Sequence, residues 1–159
     1  MWCKVAFCGE MWGGENVFMG EYGHNIDRKG RLIMPAKFRE ELGERVVVTR
    51  GLDGCLYVYT SSQWEKVYEG LSKLPTTNKN ARWYQRMVLS KAAECEMDSQ
   101  GRILIPSSLT SLAKLEKECL IIGMANHLEI WAKDVWEAEE QEQSDAFEDM
   151  AEQLSDIMG

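Results

Sequence analysis

The chain carries one ten-residue pattern twice, as IDRKGRLIMP at residues 26–35 and as MDSQGRILIP at residues 97–106. Each copy consists of an apolar residue, Asp, two polar residues, Gly, Arg, three apolar residues and Pro. Because Asp bonds readily to nearby backbone N–H groups and Gly adopts positive φ freely, the Asp-to-Gly part predicts a turn. The apolar run after Arg predicts a short strand, which Pro ends where a helix can begin.

The same order of predicted elements follows each copy. After the first copy we expect a short helix, a hairpin of strands at 46–49 and 56–59, and a helix capped by Thr60 or Ser61. After the second we expect a short helix, strands at 119–123 and 128–131, and a helix opened by a capping box of Asp134 and Glu137. Since each half alone is too small for a secure core, the two halves are predicted to share one.

The remaining segments differ from the repeats in composition. We interpret residues 1–16 as a non-native or disordered extension, with the native start at Val17 or Met19, because they show neither a clear period nor the features of a signal peptide. Repeat 1 then spans residues 21–63 and repeat 2 spans residues 92–135. Residues 64–91 are predicted to be a helical linker, and residues 136–159 an acidic amphipathic helix.

The distribution of charge indicates more than the net charge of −8. Ten acidic residues and no basic ones follow Lys133, so residues 1–133 carry 18 basic and 16 acidic groups. Residues 70–93 contain five basic and no acidic residues, with aromatic residues interleaved. Because phosphate binding depends on local clusters of Lys and Arg, the overall acidity does not exclude nucleic acid as a partner. The linker pattern fits either nucleic-acid contact or packed aromatics beside solvated Arg.

Several classes of function are disfavoured. No apolar run is long enough to span a membrane, and the five cysteines follow neither a disulfide framework nor metal-ligand spacing, which favours reduced thiols in the cytosol. The two histidines, His24 and His127, occupy unlike places in the repeat and lack a nucleophile–base or metal-binding arrangement. We therefore predict no enzyme activity, cofactor or metal.

Two Asp-x-x-x-Arg turns in register, each followed by Pro and a hairpin, resemble the SpoVT/AbrB-type swapped-hairpin DNA-binding fold. Together with FMGEY at residues 18–22, they make the chain closely similar to the MraZ family of bacterial transcriptional regulators over about residues 17–140. The resemblance implies an α+β, β-rich fold, in which tandem SpoVT/AbrB-like swapped-hairpin units form a pseudo-two-fold barrel with peripheral helices. It implies a homo-oligomeric ring in the cytoplasm, associated with the nucleoid.

The resemblance also implies a function. The chain would bind double-stranded promoter DNA of its own operon, which heads the division and cell-wall gene cluster, at short direct repeats, commonly as a repressor. Arg28, Lys29 and Arg31 are predicted to face DNA, because Arg suits bidentate pairing with guanine and Lys suits phosphate. Arg39 and Arg45 are weaker candidates for phosphate contacts.

The two copies are unequal in charge. Asp27 and Gly30 in the first copy, and Asp98, Gly101 and Arg102 in the second, are predicted to shape the turns. The second copy has Ser99 and Gln100 where the first has Arg28 and Lys29, so Arg102 is expected to serve the core or a subunit contact. The alternative is a ring-forming scaffold, in which both Asp–Arg pairs only brace the turns and the acidic C-terminal helix recruits a protein.

Overall fold

The computed structural model describes residues 17–159, so the predicted extension at residues 1–16 lies outside the described residues. The first half of the chain provides β1 (Phe18–Asn25), β2 (Arg31–Ile33), α1 (Ala36–Leu42), β3 (Arg45–Arg50), β4 (Leu56–Thr60) and α2 (Ser61–Ser72). The second half follows the linker helix α3 (Lys79–Leu89) with β5 (Ala93–Glu96), β6 (Arg102–Leu104), α4 (Ser107–Leu112), β7 (Glu118–Ala125), β8 (Leu128–Ala132), α5 (Lys133–Ser144) and α6 (Phe147–Met158). The predicted α+β, β-rich class is confirmed.

Local sequence fixes the starts of α2 and of the linker helix α3. The Thr60 hydroxyl accepts a hydrogen bond from the backbone N–H of Gln63, 3.2 Å away, which confirms the predicted cap of α2. The Asn78 side-chain oxygen accepts one from the N–H of Ala81 at 3.1 Å and caps α3 in the same way. Both caps satisfy donors that the first helical turn leaves unpaired.

Two expectations for the C-terminal helices are wrong. Helix α5 begins at Lys133 with no side-chain cap, because β8 runs directly into it and places Asp134 inside the first turn, so the capping box does not form. The expected single helix over residues 136–159 is two helices, α5 and α6. The N–H of Ala146 bonds to the carbonyl of Gln143, three residues back, and this tight turn separates them without a Gly or Pro to signal the break.

The strands of the two repeats interleave in one antiparallel sheet. Its order is β1-β7-β8-β4-β3-β5, and exchanging β1–β4 with β5–β8 gives the same order read backwards. Each repeat therefore lends its first strand to the hairpin of the other: β1 pairs with β7, and β5 pairs with β3. The two hairpins meet where β4 pairs with β8 at the centre.

The strands that follow the two motif turns form a separate pair, which we call the ribbon. Strands β2 and β6 are antiparallel, with Arg31 opposite Leu104 and Ile33 opposite Arg102. Only isolated bridges, at Ile26–Leu32 and Met97–Ile103, connect the ribbon to the ends of β1 and β5. The expected pseudo-two-fold barrel does not close within residues 17–159, where the ribbon and the six-stranded sheet meet only at these bridges.

One hydrophobic core serves both repeats, as the sequence predicts. Leu32 and Ile103 on the inner face of the ribbon are fully buried, as are Leu56 and Ile130 in the central strands. The Phe18 and Phe38 rings pack edge to face with centroids 5.3 Å apart. Because each sheet edge is formed by the other repeat's first strand, neither repeat encloses this core alone.

Gly30 is required both by its backbone conformation and by a close approach. Its φ is 92°, and a Cβ there would lie 2.6 Å from the carbonyl oxygen of Ile105 at the end of β6. Gly54, in the β3–β4 turn, has a φ of 85° but no atom within 4 Å of its Cβ position.

We expect Gly54→Ala to cost about 1–2 kcal/mol of unfolding free energy and Gly30→Ala to cost clearly more. Urea unfolding measures both, and equal losses would contradict the close approach at Gly30.

Candidate nucleic-acid interface

The first turn, residues 27–31, is closed by one carboxylate. Oδ1 of Asp27 accepts hydrogen bonds from the backbone N–H groups of Lys29 and Arg31, each at 2.9 Å. Oδ2 accepts a third from Nε of Arg31 at 2.6 Å. The backbone N–H of Asp27 and carbonyl of Arg31 bond at 3.0 Å and complete the loop. The Arg31 guanidinium is therefore held at its Nε, and its two terminal nitrogens stay available as donors.

The second turn, residues 98–102, has the same geometry. Oδ1 of Asp98 accepts from the N–H groups of Gln100 and Arg102 at 2.9 Å, and Oδ2 accepts from Nε of Arg102 at 2.8 Å. The predicted Asp–Arg ion pair is thus present in both copies. The shared bonds explain the Asp-x-x-x-Arg spacing, because one carboxylate reaches both the backbone and the side chain four residues ahead.

The pKa of each of these carboxyls is lowered from its ordinary value. For Asp27 the largest cause is the hydrogen bond from the backbone N–H of Arg31, which desolvation partly opposes and the Arg31 side chain reinforces. For Asp98 the corresponding cause is the backbone N–H of Arg102. Both carboxylates therefore remain charged under ordinary conditions, and the turns keep their bonds.

The two turns are joined back to back. The backbone N–H of Ile105 bonds to the carbonyl of Gly30, and the N–H of Met34 bonds to the carbonyl of Gly101, both at 2.8 Å. Each turn is thereby tied to the strand that leaves the other turn. The ribbon and the two turns form one rigid unit at the surface of the protein.

The outer face of the ribbon combines two cations with two aliphatic side chains. Because Leu32 and Ile103 point into the core, their neighbours Arg31 and Ile33 on β2, and Arg102 and Leu104 on β6, point outward. Leu104 is 56% exposed and lies directly opposite Arg31. Leu104 was not among the predicted site residues, although strand alternation from the buried Ile103 places it on the surface.

Arg28 and Lys29 form the tip of the first turn. Both are exposed, and within residues 17–159 their side chains make no hydrogen bond or ion pair. They border a shallow cleft of 150 Å³ whose lining includes Thr110 and Glu116. The lining holds two carboxylates, Asp27 and Glu116, and Asp27 is already paired with Arg31, so the three cations of the first turn exceed the carboxylates beside them by one.

Arg39 and Arg45 make contacts of their own outside this tip. Arg39 is half-buried, donates from Nε to the carbonyl of Met34 at 2.9 Å, and lies where a Cβ on Gly101 would stand, so it packs on the second turn. Arg45 forms ion pairs with Glu94 at 3.1 Å and with Glu96 at 3.3 Å. Arg39 thus packs on the second turn and Arg45 is paired with two carboxylates. Phosphate contact by either residue stays a prediction.

The linker helix α3 combines the two features between which the sequence did not decide, packed aromatic residues and exposed basic ones. The Arg86 guanidinium lies 4.9 Å from the centroid of the Trp83 ring, a cation–π contact. Trp83, Tyr84 and Met87 are each between 44% and 49% exposed, while Val88 is buried. This helix therefore presents a basic and apolar surface without joining the ribbon.

Other chemistries find little support in residues 17–159. The described residues contain no group of His, Cys, Asp and Glu that would hold a metal ion, and no helix among them is long and apolar enough to cross a membrane. Cys55, Cys95 and Cys119 are free and buried, and burial raises the pKa of both Cys95 and Cys119 to about 11. These thiols are consequently poor nucleophiles.

Comparison with known proteins identifies the family. Residues 17–87 and 88–157 each match the family model described as "MraZ protein, putative antitoxin-like". The chain belongs to the MraZ family. The resemblance seen in the doubled motif is confirmed, and both halves of the chain contribute to it.

Relatives in the MraZ family agree with this assignment. Proteins named "Transcriptional regulator MraZ" from Ligilactobacillus salivarius, Caldanaerobacter subterraneus subsp. tengcongensis and Thermoanaerobacter sp. are 54%, 51% and 50% identical to this chain. Each match covers 141 residues, which is 89% of this chain and 99% of the relative. Membership of a family with regulators of this kind confirms that the chain is not an enzyme.

The lowered pKa values predict how the turns respond to acid. A carboxyl whose pKa falls on folding stabilises the protein above its unfolded pKa of about 3.9, and this stabilisation is lost as the pH drops through the folded pKa. We expect Asp27→Asn and Asp98→Asn to lower the Tm near neutral pH. The difference from the parent should begin to shrink as the pH falls below about 3.9, where the carboxyl of the unfolded parent takes up a proton, and should be gone once the pH is below the lowered pKa of the folded parent.

Thermal unfolding followed by circular dichroism across this pH range tests the prediction. Asp156→Asn, on the exposed side of α6, is the matched control and should unfold like the parent at every pH. If the Tm difference between the parent and Asp27→Asn stays constant down to the lowest pH at which both proteins fold, the charge of Asp27 does not stabilise the turn.

Proposed function

We propose that this protein is a transcriptional regulator that binds double-stranded DNA through the first turn and the adjoining face of the ribbon. The observation that carries the proposal is the difference in charge between two turns that are closed by the same hydrogen bonds. Only the first bears Arg28 and Lys29, with exposed side chains that bond to nothing within residues 17–159. The fold does not need these two charges, since the second turn closes without them.

Arg31 is well suited to reading a base. Its Nε bond to Asp27 fixes the guanidinium, so less side-chain entropy is lost when DNA binds. The two terminal nitrogens form the fork that pairs with O6 and N7 of guanine in the major groove. Asp27 acts here as a positioning residue and does not itself contact DNA.

Arg28 and Lys29 are placed to contact phosphate. Both are exposed at the tip of the turn that carries Arg31, so a base contact by Arg31 would bring them near the DNA backbone that borders the groove. Leu104, opposite Arg31 on the ribbon, offers an apolar contact that fits the methyl group of thymine. The first turn and Leu104 thus combine phosphate contact with base readout on one rigid support.

A single turn covers few base pairs, so we further propose that several copies act together. A homo-oligomeric ring that presents one first turn per subunit would engage short direct repeats at once and gain affinity through effective concentration. In line with the family resemblance, the proposed target is the promoter of the protein's own division and cell-wall operon, with repression as the outcome and the cytoplasmic nucleoid as the location. A ring that only scaffolds other proteins is the alternative, and it predicts no retardation of promoter DNA.

Arg31→Ala and Arg102→Ala form a matched pair for testing base readout. Both remove the side chain of an equivalent Asp–Arg ion pair, and both sit on the outer face of the ribbon. We expect Arg31→Ala to weaken binding by about 1–3 kcal/mol per engaged site, while Arg102→Ala binds within a few-fold of the parent. Gel-shift titration with the gene's upstream region measures both. Equal losses would refute the asymmetry between the turns.

Substitution of Arg28 and Lys29 tests phosphate contact separately. If each neutralises one phosphate, the double variant Arg28→Ala/Lys29→Ala should reduce the slope of log K against log salt by about 1.8, because each contact contributes about 0.9. Ser99→Ala/Gln100→Ala, at the same places in the second turn, should leave the slope unchanged. If the double variant keeps the slope of the parent, neither side chain contacts phosphate.

A further inference from the structure

The outer faces of the two hairpins are covered to different extents. In the first half of the chain, helix α3 lies over the β3–β4 hairpin, where the Thr49 hydroxyl donates to the carbonyl of Val88 at 2.6 Å and both residues are buried. A pocket of 200 Å³ remains between α3 and this hairpin. In the second half, α5 and α6 leave a larger cavity of 590 Å³ against the β7–β8 hairpin, which we call the groove.

The two hairpins differ in the side chains on this outer face. The second and fourth residues of β4 are Tyr57 and Tyr59, and those of β8 are Glu129 and Trp131. Because alternate residues of a strand share one face, Glu129 and Trp131 both line the groove. The groove therefore has a carboxylate at the position where the face under α3 has an aromatic ring.

Glu129 is a half-buried carboxylate that no cation neutralises. Its Oε1 atom accepts a hydrogen bond from Nε1 of Trp131 at 2.8 Å, which orients the carboxylate. Within residues 17–159 it forms no ion pair. Desolvation is the largest cause that raises the pKa of Glu129; the bond from Trp131 opposes it, and the charge of Asp53 adds to it. A cation bound beside Glu129 would relieve both unfavourable effects on its charged form.

Three further carboxylates border the groove. Asp53 comes from the β3–β4 turn, Glu139 and Glu140 come from α5, and all three are exposed. None of the described residues that line the groove is a Lys, Arg or His. The part of the chain that the structure describes also contains no group of carboxylates arranged to hold a metal ion. The negative charge is therefore spread over the groove and does not converge on one point.

The surface between these carboxylates is apolar and aromatic. The indole rings of Trp131 and Trp136 meet edge to face with centroids 5.2 Å apart. Ile122 on β7 and Met150 on α6 add aliphatic surface, and the Phe147 ring is 69% exposed. Aromatic faces attract ammonium groups, and methylene chains gain free energy when they cover apolar surface. The groove thus suits a flexible apolar chain that carries several separated positive charges.

We infer that the groove is a binding site for an aliphatic polyamine. Such a molecule has several ammonium groups joined by short methylene chains. Its charges can pair with carboxylates from β8, α5 and the β3–β4 turn at once, while its chain covers the aromatic surface between them. A cavity of 590 Å³ has the size of a small-molecule site. The inference does not depend on the proposed function, because the groove shares no residue with the ribbon or the first turn.

Isothermal titration calorimetry of the whole chain with spermidine, at physiological salt, tests the site. We expect saturable binding to a single site per chain. Butylamine has a methylene chain but one charge, and Mg²⁺ has charge but no chain, so each should bind at least about tenfold more weakly. Absence of saturable spermidine binding, or equally tight binding of Mg²⁺, would overturn the inference.

Matched variants locate the binding in the groove. Glu129→Gln keeps an acceptor for the indole N–H but removes the charge, and it should weaken spermidine binding by about tenfold or more. Glu139→Gln/Glu140→Gln should weaken it as well. Glu148→Gln/Glu152→Gln changes the net charge as much as that double variant but lies outside the groove lining, so it should bind like the parent. Parent-like binding by both groove variants, or an equal loss in the control, would refute the site.

Discussion

The carboxylates of Asp27 and Asp98 are the contacts on which the rest of the structure depends. Each accepts hydrogen bonds from two backbone N–H groups and one guanidinium nitrogen, and so closes a five-residue turn. The turn then directs a three-residue strand into the ribbon. Without this closure the inner ribbon residues, Leu32 and Ile103, would have no fixed direction toward the core.

The backbone of two glycines joins the turn of one repeat to that of the other. Gly30 and Gly101 give their carbonyls to the strand that leaves the opposite turn, so the two turns are fixed together. The exchange of first strands between hairpins extends the same dependence to the whole sheet. The two turns are closed by the same hydrogen bonds, none of which involves the side chains at the tip. Those side chains can therefore differ, and they are basic in the first turn and neutral in the second.

Much of the fold was predictable because its signals are local. The doubled Asp-to-Pro pattern predicted both turns and both short strands, and Thr60 marked the start of α2. The separation of α5 from α6 was not predictable, because no Gly or Pro accompanies the tight turn at Ala146. The pseudo-two-fold barrel expected from the family resemblance does not close within the described residues, since the ribbon meets the sheet only at isolated bridges.

For the candidate site, the sequence by itself determined which turn carries surplus positive charge, because Arg28 and Lys29 have no counterpart after Asp98. Tertiary structure alone decided which other side chains stand beside the two turns. Strand pairing between repeats brings Leu104 opposite Arg31, and helix packing places Arg39 on the second turn. These neighbours are tens of residues apart in the chain, so no local pattern encodes their contact; it arises because the repeats exchange strands around one core.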